Sequence, residues 1–168
     1  MNNMFVGRIL RRRFEHLENI TDNCTLDEYF NIKNTDTAKI KIEYFVNLHK
    51  SIIELNVKFF KKEPAYNFKQ LPLEICGIIS SYNLNYINIK FEILFPNSYP
   101  LNEVPIWSFI DVQHNIKSIL NLKNYYEYIV DTHNNRNKHD WSAAIQIDRD
   151  ILEFFEKINY FDYILDYN

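Results

Sequence analysis

Residues 87–100 read INIKFEILFPNSYP, and the fold is decided there. Ile87, Ile89, Phe91, Ile93 and Phe95 alternate with Asn88, Lys90 and Glu92. A period of two puts the apolar set on one face of a β-strand and the polar set on the other. Pro96 then ends the ladder, because proline has no backbone N–H to give and fixes its own φ. A following strand is expected at Val104 to Asp111.

Upstream, Leu73, Ile75, Gly77 and Ile79 alternate with Glu74, Cys76 and Ile78, and Tyr66 and Phe68 alternate with Asn67 and Lys69. Both read as strands, with a turn at Ser80 to Asn85. Before them, Ile40, Tyr44, Leu48, Ile52 and Leu55 recur at helical spacing, so a helix capped by Thr35 or Asp36 is expected behind the sheet. Phe5 to Asn19 reads as a first helix. Thr25 to Glu28 fits a capping box for a short turn.

After the sheet the pattern blurs. Asn121 to Val130 suits a short helix or a strand, and Thr132 to Asp140 reads as a polar loop. Asp148 opens a helix with Ile151, Phe155 and Ile158 on one face, and a last short helix is expected from Asn159 to Tyr167. The fold class is therefore α+β: an N-terminal helix, a four-stranded antiparallel meander and C-terminal helices. The expected division is an N-terminal helical extension at 1–35 and one domain at 36–168.

Composition excludes several functions. Hydrophobic residues are 46% and charged residues 24% of the 168, which fits a globular chain. A formal charge of -3 gives no general attraction to nucleic acid or to anionic membrane. No apolar run is long enough to span a bilayer. Arg8, Arg11, Arg12 and Arg13 beside apolar residues suggest an amphipathic presequence, but Glu15 and Glu18 argue against one. With no secretory segment, the sequons at Asn19 and Asn23 carry little weight, and a cytoplasmic location is expected. Two glycines are too few for a P-loop or a dinucleotide fingerprint. Two distant cysteines, Cys24 and Cys76, suit neither a disulfide framework nor a zinc site. His133, His139 and Asp140 lack the spacing of a metal site, and no cofactor is expected. The abundance of Asn, Ile, Lys and Tyr points to AT-rich codons, such as those of a large DNA virus or a protist. For a viral chain the location becomes host cytoplasm or virion.

Two stretches resemble the ubiquitin-conjugating-enzyme fold. One is Phe95 to Pro100, followed by Pro105 and Phe109; that family carries a similar strand, F-P-x-x-Y-P, then further proline and a strand with a buried Phe. The other is HDWSAAIQI at 139–147, similar to the family's W-S-P-x-x-x-I before a helix. The resemblance covers about Asp36 to Phe161. It makes Tyr99, Pro100, Pro105 and Trp141 structural landmarks, with Trp141 an apolar plug beside the sheet.

The departures bear on activity. Members of that family place His-Pro-Asn and then a nucleophilic cysteine after the fourth strand. Here His114 and Asn115 stand without the proline, and no Cys occurs between Asn115 and Trp141. The thiolate is what attacks an activated thioester, so the resemblance implies a non-catalytic binding module with no catalytic residue. The cysteine-free variants of the family are similar, and in one stretch so is their endosomal-sorting branch, which binds ubiquitin and Pro-Thr/Ser-Ala-Pro peptides, with Ile87 here in place of that branch's second Tyr and one extra residue between Pro100 and Pro105. Tyr82, Ile87 to Ile89, Tyr99 and Pro100 match its spacing. The partners implied are ubiquitin, a catalytic ubiquitin-conjugating enzyme or a proline-containing peptide. The implied groove has Tyr82 and Asn88 on one wall, and Tyr125, Tyr126 and Tyr128 on the other. RWD domains, interaction modules of the same fold, also share the Tyr-Pro pattern. A scaffolding protein, such as one of a viral particle, is the alternative reading.

Overall fold

A computed structural model describes residues 3–22, 24–32, 38–62, 84–115 and 121–158. Two helices, α1 (Asn3–Thr21) and α2 (Leu26–Tyr29), precede four strands, β1 (Ala38–Asn47), β2 (Ile52–Lys62), β3 (Leu84–Leu94) and β4 (Ile106–His114). Helices α3 (Leu122–Asp140) and α4 (Ile147–Ile158) follow. The strands form one antiparallel sheet in the order β1-β2-β3-β4. The expected class holds: an α+β fold with an N-terminal helix, a four-stranded meander and C-terminal helices.

The first half of the sheet corrects the expected order. Residues 38–62 are a β-hairpin, not a helix. Ile40, Tyr44, Leu48 and Ile52 suggested a helical stripe because a separation of four is compatible with both periods, 3.6 and 2, whereas the step of three to Leu55 crosses to the other face of β2. Alternation decides the matter. Ile40, Ile42, Tyr44 and Val46 face the core from β1, and Ile53, Leu55, Val57 and Phe59 from β2. Leu48, the middle of the supposed stripe, is an exposed turn residue. In that turn Ser51 takes a positive φ of 54°, and Asn47 Oδ1 accepts from the Lys50 N–H at 3.1 Å. The helix that precedes the meander is therefore α1. The strands expected at 66–69 and 73–79, the final helix expected at 159–167 and the division expected at 35/36 lie outside the described residues.

Strand β3 behaves as its pattern demands. Ile87, Ile89, Phe91, Ile93 and Phe95 are all buried. Against β4, Phe91 pairs with Phe109 but Lys90 with Asp111, so Ile110 is an extra residue in a bulge. The bulge points Ile110 outward, 54% exposed.

A second correction concerns 132–140, which is the last half of α3 and not a loop. Its inward stripe is Leu122, Tyr126, Ile129, Val130, His133 and Asn137. The spacing is helical, but the last two members are polar, so the periodicity fades where hydrophobicity is the signal. Asn121 caps the helix by accepting from the Asn124 N–H at 3.4 Å.

All the helices contribute to one core on the inner face of the sheet. Helix α1 supplies Leu10, Phe14 and Leu17, and α4 supplies Ile151, Phe154, Phe155 and Ile158. Both sheet edges are engaged. At β1, the Ile42 N–H donates to Asp27 Oδ1 of α2 at 3.3 Å. At β4, the Asn134 side chain acts as a substitute strand. Its Oδ1 accepts from the Trp107 N–H at 2.9 Å and its Nδ2 donates to the Trp107 carbonyl at 2.8 Å. Such contacts occupy backbone groups that would otherwise recruit another strand.

Candidate binding surfaces

The two sequence landmarks meet in space. Tyr99 is buried, with its ring 5.0 Å from Phe95 and 5.7 Å from Trp141. The Trp141 indole N–H donates to the Pro100 carbonyl at 3.4 Å. Pro100 and Pro105 are buried beside them. Arg13 reaches this junction from α1, donating to the Tyr99 hydroxyl, to the Ile145 carbonyl at 2.7 Å and to the Ala143 carbonyl. Its guanidinium also lies 5.1 Å from the Tyr99 ring centre. Burial pushes the Tyr99 hydroxyl up to about 12, although Arg13 pulls the other way. Trp141 is only partly buried and leans on the core from outside. The deep plug of the sheet is Trp107, stacked on Phe154 at 4.0 Å.

A buried polar network joins β4, α3 and α4. Asp150 Oδ1 accepts from Asn137 Nδ2 and lies at 2.9 Å from His133 Nε2. Its Oδ2 accepts from the Trp107 indole at 2.8 Å. His133 Nδ1 sits 3.0 Å from Lys157 Nζ. A neutral imidazole protonated at Nε2 satisfies both contacts, donating to the carboxylate and accepting from the lysine. His133 is wholly buried and Asp150 nearly so. This network positions α3 and α4 against β4. No cluster of His, Cys, Asp and Glu suited to a metal ion occurs among the described residues. No described helix is long and apolar enough to cross a membrane.

The outer face of the sheet is different. No described helix packs on it, and Phe45, Tyr86, Leu94, Ile106 and Ile110 are exposed there, Phe45 at 61%. The strand register sorts this face into rows across the sheet. One row is Lys41, Lys58, Asn88 and Gln113; the next is Glu43, Asn56, Lys90 and Asp111. Then come Phe45, Glu54, Glu92 and Ser108, and finally Asn47, Ile52, Leu94 and Ile106. The middle rows hold a shallow groove of about 550 Å³, lined by Phe45, Glu54, Asn56, Lys90, Glu92 and Ile110 among others. Glu43 is held by Lys41 at 2.8 Å and Lys58 at 2.7 Å. Those two cations draw its carboxyl down to about 2.

Among the described residues, those expected to form a groove are not gathered into one. Tyr82 lies outside the described residues. Asn88 stands on the outer sheet face, with its Oδ1 buried and unpartnered. Tyr126 is core: wholly buried, its ring stacks on Phe109 at 6.1 Å and meets Phe91 edge-on. Burial pushes its hydroxyl strongly up. Tyr125 packs half-buried beside it, and Tyr128 is exposed. Tyr126 therefore supports the fold and cannot line a groove without opening the core. The sequence missed the outer face because its residues are the polar half of each alternation. The signal that was available is Phe45 and Ile110, large apolar residues out of phase with their strands.

Comparison of the chain with family models, with curated proteins and with solved structures found no match.

Proposed function

We propose that this chain is a non-catalytic protein-binding module of the ubiquitin-conjugating-enzyme type, and that it docks its partner on the outer face of the sheet. The observation that carries this reading is a groove on that face flanked by two exposed large apolar side chains, Phe45 on β1 and Ile110 on β4, with charged and amide groups between them. One solvated face is ordinary for an antiparallel sheet, but that face is normally polar. Exposed apolar side chains flanking charged and amide groups in one groove offer the mixed surface that a protein partner can bury. The meeting of Tyr99 and Trp141 supports the family resemblance. The absence of Cys from 116–140 supports a binding role over thioester chemistry.

Ubiquitin is the first candidate partner, and a proline-containing peptide is the second. Asn88 belongs to the proposed face. Calorimetric titration with ubiquitin and with a Pro-Thr-Ala-Pro peptide tests the reading, using wild type, Phe45→Asp and Ile110→Asp. Both substituted side chains are exposed, so neither change should unfold the protein. Binding of either ligand, weakened by both substitutions, is the expected result. Binding of a ligand that both variants leave untouched would move the interface elsewhere. Absence of binding at millimolar concentration, together with self-association abolished by the same substitutions, would favour the scaffolding alternative.

A further inference from the structure

We infer that the outer-face groove receives an arginine side chain of the partner, held between Glu54 and Glu92 and stacked on Phe45. This rests on the reading of that face as a docking surface. Glu54 and Glu92 are direct partners across β2 and β3, a position in which like charges destabilise a sheet. Among the described residues neither carboxylate has an ion pair within 4.0 Å. Glu43, one row away, has two. The same face thus neutralises one glutamate and leaves the facing pair uncompensated.

Three further features select the occupant. Asn56 lines the groove beside the pair, and its Oδ1 is buried with no donor while its Nδ2 donates to Glu43 at 3.4 Å. The unmatched groups are therefore acceptors: two carboxylates and an amide oxygen. A guanidinium offers five donors in one plane, which suits acceptors spread over two strands better than the compact ammonium of lysine. Phe45 is the direct cross-strand partner of Glu54 and its ring is exposed. It offers a face on which a guanidinium can stack while bonding the carboxylates. Ile110, raised by the bulge, supplies an apolar wall for the aliphatic neighbours of that arginine. Lys90 is the groove's own cation, exposed and opposite Asn56 and Asp111. It limits the site to one guest cation and does not fill the place between Glu54 and Glu92.

Two measurements test this, with capped Leu-Arg-Leu as the probe and its Arg→Lys and Arg→Gln forms as controls. The first is the melting temperature of the free protein at neutral pH. Glu92→Gln and Glu54→Gln should each raise it, because either change removes one of two facing like charges. An unchanged or lowered melting temperature in both variants would show that the pair is not frustrated and would overturn the inference. The second is amide chemical-shift mapping with the three peptides. The Arg peptide should shift the amides of Phe45, Glu54 and Glu92, with affinity about tenfold or more above the Gln peptide. Either Glu→Gln change should remove that advantage. Equal binding of the Arg and Gln peptides at these amides would overturn the arginine anchor and leave the docking face standing. No shift at these amides at millimolar peptide would overturn the anchor, and the ubiquitin titration decides separately whether the face docks anything.

Discussion

Trp141 rests on Tyr99 with ring centres 5.7 Å apart. Two motifs separated by forty residues of chain thus form one contact at the junction of α1, the β3–β4 connection and the approach to α4. The contact is peripheral, because Trp141 is only partly buried while Trp107 is fully so. Trp107→Ala should therefore cost about 3–5 kcal/mol, the range for a buried large aromatic, and it also strips Asp150 of a donor. Trp141→Ala should cost clearly less. Urea denaturation of both variants checks the order, in which the deep plug is Trp107 and not the sequence landmark Trp141.

Arg13 is the charged residue on which the same junction depends. It serves two backbone carbonyls and the Tyr99 hydroxyl at once. Arg13→Met keeps the bulk but leaves those acceptors unsatisfied. The expected loss is about 2–4 kcal/mol, between one unmade charged hydrogen bond and a broken buried ion pair. Lysine should not restore it, because one ammonium cannot reach three acceptors in a fork. The midpoint of urea unfolding reads the effect.

Glu43 gives a prediction in pH. Its carboxyl is drawn from an ordinary 4.5 to about 2 by Lys41 and Lys58. A depressed folded-state value means that the native state favours the ionised form. The contribution is present above about 4.5 and is lost as pH falls toward about 2. Glu43→Gln should thus lower stability at neutral pH, and the gap from wild type should close over that window. The side chain is 41% exposed, so solvent screening keeps the gap small. Melting curves at stepped pH and low ionic strength check it.

Thioester formation is a further test. Incubation with activating enzyme, ATP and ubiquitin should give no adduct that thiol reagents remove, since 116–140 holds no Cys. Cys24, on the short link between α1 and α2, is half-buried and its thiol faces the Ile20 carbonyl at 3.4 Å. A thiol-sensitive adduct lost on replacing Cys24 or Cys76 would overturn the non-catalytic reading.

Legibility from sequence followed the strength of the periodic signal. Strand β3 alternates cleanly from Ile87 to Ile93, and α4 carries a clear apolar stripe, so both were readable. The β1–β2 hairpin was not, because Ile40, Tyr44, Leu48 and Ile52 recur every four residues, which satisfies a helical spacing as well as an alternating one. The C-terminal half of α3 was hidden because His133 and Asn137 occupy core positions; their partner, Asp150, lies on another helix. Long-range polar pairing of this kind leaves no local trace. Of the residues expected to bind, Asn88 was placed on an open face by its alternation with Ile87 and Ile89. Tyr126 is part of the core, and its sequence did not show this, because an aromatic residue in a polar stretch is equally suited to a groove wall or to a core and only tertiary packing separates the two.

The central claim is that the outer sheet face is the docking surface, and amide chemical-shift mapping during a titration with ubiquitin tests it most directly. The account predicts perturbations that cluster on Phe45, Glu54, Asn88, Glu92 and Ile110 and spare the amides of α1, α3 and α4. Perturbations confined to those helices, or none at millimolar ubiquitin, would contradict it.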